Sequence, residues 1–156
     1  MTSRMSKVHV FWVAIVAVLA VYTVASAASV NQTEAVALKG YDPVAYFTEN
    51  KAVKGSDRFT AKYQGAIYRF ESAANRDTFA AGPARYAPQY DGYCAYGVAS
   101  GHKADIDPNA FSIVNGKLYL NYNKAVRFLW QRDTQGYITK ADQNWPEVSR
   151  TSDVAK

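Results

Sequence analysis

Phe111-Ser112-Ile113-Val114-Asn115-Gly116-Lys117-Leu118-Tyr119-Leu120-Asn121-Tyr122 is the stretch that decides the fold. β-Favouring residues flank Asn115-Gly116, the pair best suited to a two-residue type I′ turn, where both central residues take positive φ. The stretch predicts a β-hairpin. Asn123 follows at once as an N-cap for a helix through Ala125, Val126, Phe128, Leu129 and Trp130.

The same order of signals stands earlier in the chain. Residues 59–63 alternate as Phe-Thr-Ala-Lys-Tyr, Gln64-Gly65 supplies a turn, and Ile67, Tyr68, Arg69 and Phe70 form a second β-rich run. Ser72 is the N-cap for a helix over 73–81, and Gly82-Pro83 stops it. Asp42-Pro43-Val44-Ala45 and Asp107-Pro108-Asn109-Ala110 each precede a hairpin, and Gly65/Tyr68 and Gly116/Tyr119 share one spacing. The expectation is an α+β domain in which two β-hairpin–helix units form one small antiparallel sheet with helices packed on it.

Between the units the reading is less regular. Asp42-Pro43 starts one short helical turn, and 51–57 is a polar loop. Tyr86, Tyr90, Tyr93 and Tyr96 recur at helical spacing, but Pro88 interrupts it. A helix over 92–100 is expected, capped by Asp91 and ended by Gly101. A last helix over 138–145 is expected to close at Pro146.

The N-terminus reads as an address. Arg4 and Lys7 precede an uncharged apolar run over 10–24, and Ala25-Ser26-Ala27 offers small residues for a signal peptidase. The run is shorter than the roughly 20 apolar residues of a membrane span. The expected organisation is a signal peptide over 1–27, a flexible lead-in over 28–37, a domain over 38–146 and a C-terminal tail over 147–156. A periplasmic or secreted protein is expected by a Sec-type route, with an uncleaved N-terminal membrane anchor as the alternative.

Composition bounds the partners. The chain has 156 residues, 49% of them hydrophobic, and 12 Tyr, which suits one folded domain rather than disorder. Removing Arg4 and Lys7 from the formal +5 leaves +3, and no run of five basic residues exists, so nucleic acid is not an expected partner. Another envelope protein is compatible with the address. There is no Cys-x-x-Cys, no HExxH, no phosphate-binding glycine loop and no nucleophile elbow.

The ordered pattern Tyr63-Gln64-Gly65-Ala66-Ile67-Tyr68-Arg69-Phe70-Glu71-Ser72, then Asn75, Phe79, Pro83 and Tyr86, with Asp42-Pro43-Val44 upstream, resembles the YHS-domain family. Gly92-Tyr93-Cys94-Ala95-Tyr96-Gly97 and Leu118-Tyr119-Leu120-Asn121-Tyr122-Asn123 resemble its longer, exported branch. The resemblance covers residues 38–146 and implies a small module, in many members one that handles metal. The places where those members carry cysteines hold Ala45, Glu71 and Asn75 here. The resemblance thus implies the fold and does not bring a thiolate cage.

Cys94 is the only cysteine, in a chain read as exported. A single cysteine makes no internal bridge, so it is buried and inert, or used. Ligand binding is expected at Cys94, Tyr90, Tyr93 and Tyr96, with Cys94, His102 and Asp105 as the donor set for a metal, copper or zinc. Glu71 and Asn75 are either hydrogen-bonding replacements for ligands or helix-terminus electrostatics. The functional expectation is a non-enzymatic exported binding module. Its alternatives are a thiol enzyme or redox sensor using Cys94 with His102 as base, and a structural or partner-binding envelope protein.

Overall fold

The computed structural model describes residues 30–155. The signal-peptide and anchor readings fall on residues outside these. Strands β1 (Gln32–Thr33) and β2 (Val36–Ala37) open the chain, followed by a 3-10 turn over Leu38–Gly40 and helix α1 (Ala45–Thr48). Then come β3 (Ser56–Tyr63), β4 (Ala66–Phe70), α2 (Ala73–Ala81) and α3 (Pro83–Tyr86). A second 3-10 turn over Gln89–Gly92 leads to α4 (Ala95–Ala99), β5 (Lys103–Ala104), β6 (Asp107–Val114) and β7 (Lys117–Asn121). Helices α5 (Lys124–Gln131) and α6 (Thr134–Val148) and the short β8 (Val154–Ala155) finish it. The α+β class holds.

Both hairpins form where the turn chemistry places them. Gln64 and Gly65 have φ of 48° and 80°, and Asn115 and Gly116 have 50° and 71°, the positive values that match the twist of the flanking strands. Both helices that follow are capped as expected. Ser72 Oγ accepts from Asn75 N at 3.1 Å, and Asn123 Oδ1 from Val126 N at 2.8 Å.

The likeness between the two units goes further than the sequence suggests. Each hairpin has the same irregularity at the same distance from its turn: Ser56↔Phe70 is followed by Thr60↔Arg69, and Asp107↔Asn121 by Phe111↔Leu120. Phe79 packs on Tyr68 with ring centroids 4.9 Å apart, and Trp130 packs on Tyr119 at 5.4 Å. Upstream, Leu38, Lys39 and Gly40 have φ of 53°, 51° and 81°, and Tyr90, Asp91 and Gly92 repeat them at 53°, 52° and 81°. Tyr41 N bonds Leu38 O, and Tyr93 N bonds Tyr90 O, both at 3.0 Å. Asp42 N bonds Val53 O at 2.8 Å, and Cys94 N bonds Ala104 O at 3.0 Å. The described residues therefore include two similar hairpin–helix segments, followed by α6 and β8.

This equivalence corrects the expected alignment. The hairpins and capped helices correspond as read, but the structural partner of Asp42 is Cys94, not Asp107. Asp107 begins its strand at the register position of Ser56.

The two hairpins do not share one antiparallel sheet. Four strands run in the order β1-β2-β4-β3, with β2 parallel to β4, while β6 and β7 form their own ladder. The reason is that β2 occupies the free edge of β4. The lead-in over 28–37 is thus part of the domain from Val30 onward, with Val30 and Ala37 buried.

Other boundaries also differ from the sequence reading. The expected helix over 92–100 is α4, which begins only at Ala95. Helix α6 starts earlier than 138, because Asp133 Oδ1 caps it by accepting from Gly136 N at 3.0 Å. It also runs through Pro146, with Ser149 N bonded to Trp145 O at 2.8 Å beyond it. The tail over 147–156 is not wholly free, since β8 pairs in parallel with β5. Among the described residues, no helix is long and apolar enough to cross a membrane.

Candidate functional site

Cys94 sits where three segments meet. It is the N-cap residue of α4, its Sγ accepting from Gly97 N at 3.4 Å. Sγ also accepts from Tyr122 N, just beyond β7, at 3.3 Å. The thiol faces Asn121 Oδ1 at 3.7 Å, and the same oxygen accepts from Tyr96 N at 3.3 Å. Cys94, not the expected Asp91, therefore caps the helix. Asp91 lies in the preceding 3-10 turn with its Oδ2 buried and without a hydrogen-bond partner.

Burial dominates the chemistry of this thiol. Cys94 is 1% exposed. Desolvation pushes its pKa up from the ordinary value, against the pull of the backbone N–H groups of Gly97, Tyr122 and Tyr96. A resting thiolate, which a nucleophile or peroxide sensor requires, is thus disfavoured.

Beside the sulfur lies a cavity of about 240 Å³. Cys94, Gly97 and His102 form part of its wall, and Tyr96, Ala104, Tyr122, Val126 and Ala155 make the rest mostly apolar. Gly97 keeps it open: a Cβ there would stand 3.2 Å from the Ala104 methyl and 3.5 Å from His102 Nε2. A larger open groove of about 410 Å³, lined by Lys39, Arg69 and Asp105 among others, contains no soft donor.

The equivalent place in the first half is polar. Asp42, 0% exposed, accepts at Oδ1 from Val44 N at 2.8 Å and Ala45 N at 3.4 Å. Its Oδ2 accepts from Glu71 N at 2.9 Å and Asn75 Nδ2 at 2.8 Å. Lys51 pairs with Glu49 at 2.8 Å. Glu49 in turn meets Glu71, whose carboxyl is raised chiefly by that contact. Position by position, Asp42, Lys51, Val53, Glu71 and Asn75 correspond to Cys94, His102, Ala104, Tyr122 and Val126. One half gathers hydrogen-bonded charged groups at this locus, and the other has a cavity walled by sulfur, imidazole and apolar groups.

The expected site residues divide accordingly. Cys94, His102 and Tyr96 share the cavity. Tyr90 does not line it. Its hydroxyl donates to Asp142 Oδ1 at 2.8 Å, and its ring packs 5.7 Å from Trp145. Tyr93 also packs on Trp145, at 6.5 Å, with Lys103 Nζ 5.0 Å from its ring centre. Both are core residues of the second half. Asp105 is held away by Lys39 at 2.7 Å and by Ile106 N at 2.8 Å. Among the described residues, no group of three or more His, Cys, Asp and Glu could hold a metal ion. Glu71, through its backbone N–H, and Asn75, through its amide, both donate to Asp42.

Tyr122, Val126, Ala104 and Ala155 were not legible as site residues. The available signal was the repeat itself: aligned through the turns Gln64-Gly65 and Asn115-Gly116, Tyr122 falls on Glu71 and Val126 on Asn75. Compared with family models, curated proteins and solved structures, the chain matches none.

Proposed function

We propose that this chain is a small, non-enzymatic binding module of the cell envelope, and that its ligand, a metal ion or a small molecule, occupies the cavity at Cys94. The carrying observation is the contrast between the halves. The same backbone frame surrounds Asp42 and Cys94; at Asp42 it is engaged by Glu71 N and Asn75 Nδ2, while beside Cys94 a cavity has both a thiol and an imidazole in its wall. Buried Cys94 with its raised pKa weighs against the thiol-enzyme reading.

The resemblance to the YHS-domain family supports a module of this size. Its soft-ligand places fall on Ala45, Glu71 and Asn75, in the half that holds Asp42, so no metal chemistry is assigned to them. The envelope address rests on residues 1–27.

The binding reading is tested by titrating the purified protein with Cu(I), with Zn(II) and with an apolar fluorescent probe. Binding of at least one, lost or weakened in Cys94→Ser and in the cavity-filling Gly97→Ala, is expected. No binding of any probe to the wild type overturns it. Mass spectrometry of the chain made in an exporting host tests the address: a mature start at Ala28 is expected, and a retained residue 1 contradicts cleavage.

A further inference from the structure

Helix α5 presents an outward face that its packing does not explain. Ala125, Phe128 and Leu129 are exposed, Phe128 to 66% and Leu129 to 42%. Residues three and four apart are neighbours on a helix surface, so these side chains form one apolar patch. Lys124 and Arg132 lie four residues to either side of Phe128, on the same row and exposed. Neither makes an ion pair among the described residues.

Helix α2 is the internal control. Aligned through the two hairpin turns, Phe128 falls on Asp77, Leu129 on Thr78, Lys124 on Ala73 and Arg132 on Ala81. Asp77 and Thr78 are exposed too, while the inward residues Phe79 and Trp130 are both buried. The same place in the same kind of segment thus accepts an acid and a hydroxyl. The fold does not require Phe128 and Leu129 there.

Charge selects what covers the patch. From Pro108 to Arg132 the sequence has four basic residues, Lys117, Lys124, Arg127 and Arg132, and no acidic one. Setting those four aside turns the +3 of residues 28–156 into −1, so the excess positive charge is gathered on β6, β7 and α5. We infer that this face docks on an anionic phospholipid bilayer. Phe128 and Leu129 enter the headgroup boundary, and Lys124 and Arg132 meet lipid phosphates. Such surface attachment gains strength from buried apolar area and from attraction to anionic lipid together. A second copy of the chain suits the face less well, because a twofold contact sets a patch against itself and brings its like charges together. The inference makes no use of the Cys94 cavity.

The test titrates Phe128→Trp, purified from an exporting host, with vesicles of phosphatidylglycerol and phosphatidylcholine, and with phosphatidylcholine alone. The wild type is the blank for the other tryptophans. Emission from the introduced indole reads the contact of α5 itself, whether or not residues 1–27 remain. A blue shift is expected with the anionic vesicles only, and added salt should reduce it by screening. Adding Lys124→Ala and Arg132→Ala together should weaken the lipid affinity at least about 10-fold, and adding Leu129→Thr should weaken it as well. Circular dichroism confirms that each variant is folded. No shift with anionic vesicles, an equal shift with neutral ones, or an affinity undiminished by the two alanines overturns the inference. A lipid-free dimer in analytical ultracentrifugation that Phe128→Asp with Leu129→Thr dissociates also overturns it, by giving the face to a second copy.

Discussion

Asp42 and Cys94 hold the same place in the two halves of the chain. Each accepts a backbone N–H from the residue just past the second strand of its hairpin, Glu71 at 2.9 Å in one case and Tyr122 at 3.3 Å in the other. Each also accepts from the first turn of the short helix that follows it. The shared frame makes the two residues comparable, and their different neighbours give them different jobs.

Replacing Asp42 should be severe. Asp42→Ala removes the fully buried acceptor of the Val44 and Glu71 N–H groups and of the Asn75 amide. Leaving buried donors unpaired costs about 1–3 kcal/mol each, partly relieved by water. A loss of at least about 3 kcal/mol is expected in the denaturant midpoint. A loss below about 1 kcal/mol would show that the cluster adds nothing to the fold.

At Cys94 the order of variants is informative. Serine keeps an acceptor for Gly97 N and Tyr122 N and is a better N-cap than cysteine, so Cys94→Ser should stay within about 1 kcal/mol of wild type. Alanine offers no acceptor, and Cys94→Ala should cost about 1–3 kcal/mol more than serine. Equal midpoints for the two variants would mean that the sulfur only fills space.

Trp130 should tolerate the residue found in its counterpart. It is fully buried, and its Nε1 has no hydrogen-bond partner. Trp130→Phe adopts the choice made at Phe79 and removes the orphan donor, which offsets part of the cavity cost. A loss below about 1.5 kcal/mol is expected, against about 3–5 kcal/mol for Trp130→Ala. Thermal unfolding of both variants checks the contrast.

Asp91 gives stability a pH dependence of known sign. Burial raises its folded pKa, and the Lys103 charge only partly lowers it again. The folded state therefore binds the proton more tightly than the unfolded chain. Its contribution is present below the unfolded value of 3.8 and is lost as pH rises through the folded value. Asp91→Asn accepts the positive φ, removes the charge, and should flatten this decline. A gain near neutral pH is expected, reduced by solvent screening because the group is only partly buried. Urea titrations at several pH values measure it, and a steeper decline in the variant would contradict the sign.

What the sequence disclosed follows from which signals are local. Asn115-Gly116, Gln64-Gly65, Ser72 and Asn123 act within a few residues of themselves, and each does what its chemistry dictates. Strands β1 and β2 were hidden because they are two residues long, and their link uses positive φ at Glu34 and Ala35, neither a glycine. The α4 cap was misplaced because cysteine is a rare N-cap and Asp91 looked better suited. Pro146 was read as a stop, yet Ser149 N carries the helix past it. Cys94, His102 and Tyr96, singled out by chemical type, line one cavity. Asp105, Tyr90 and Tyr93 went elsewhere because Lys39, Asp142 and Trp145, all distant in sequence, engage them.

The matched hairpins bear on how the chain acquires its shape. Each closes over a two-residue turn and runs straight into a capped helix, so each is assembled from near neighbours in sequence, the kind of contact that forms fastest. Isolated hairpins close in about 1–10 μs. The polypeptide thus carries two interchangeable starting points for folding. Damage to one, such as Gly116→Val at its positive φ, leaves a second route through β3 and β4. Stopped-flow refolding should show the folding rate falling less than stability does in either single turn variant, and falling fully only when Gly65 and Gly116 are replaced together.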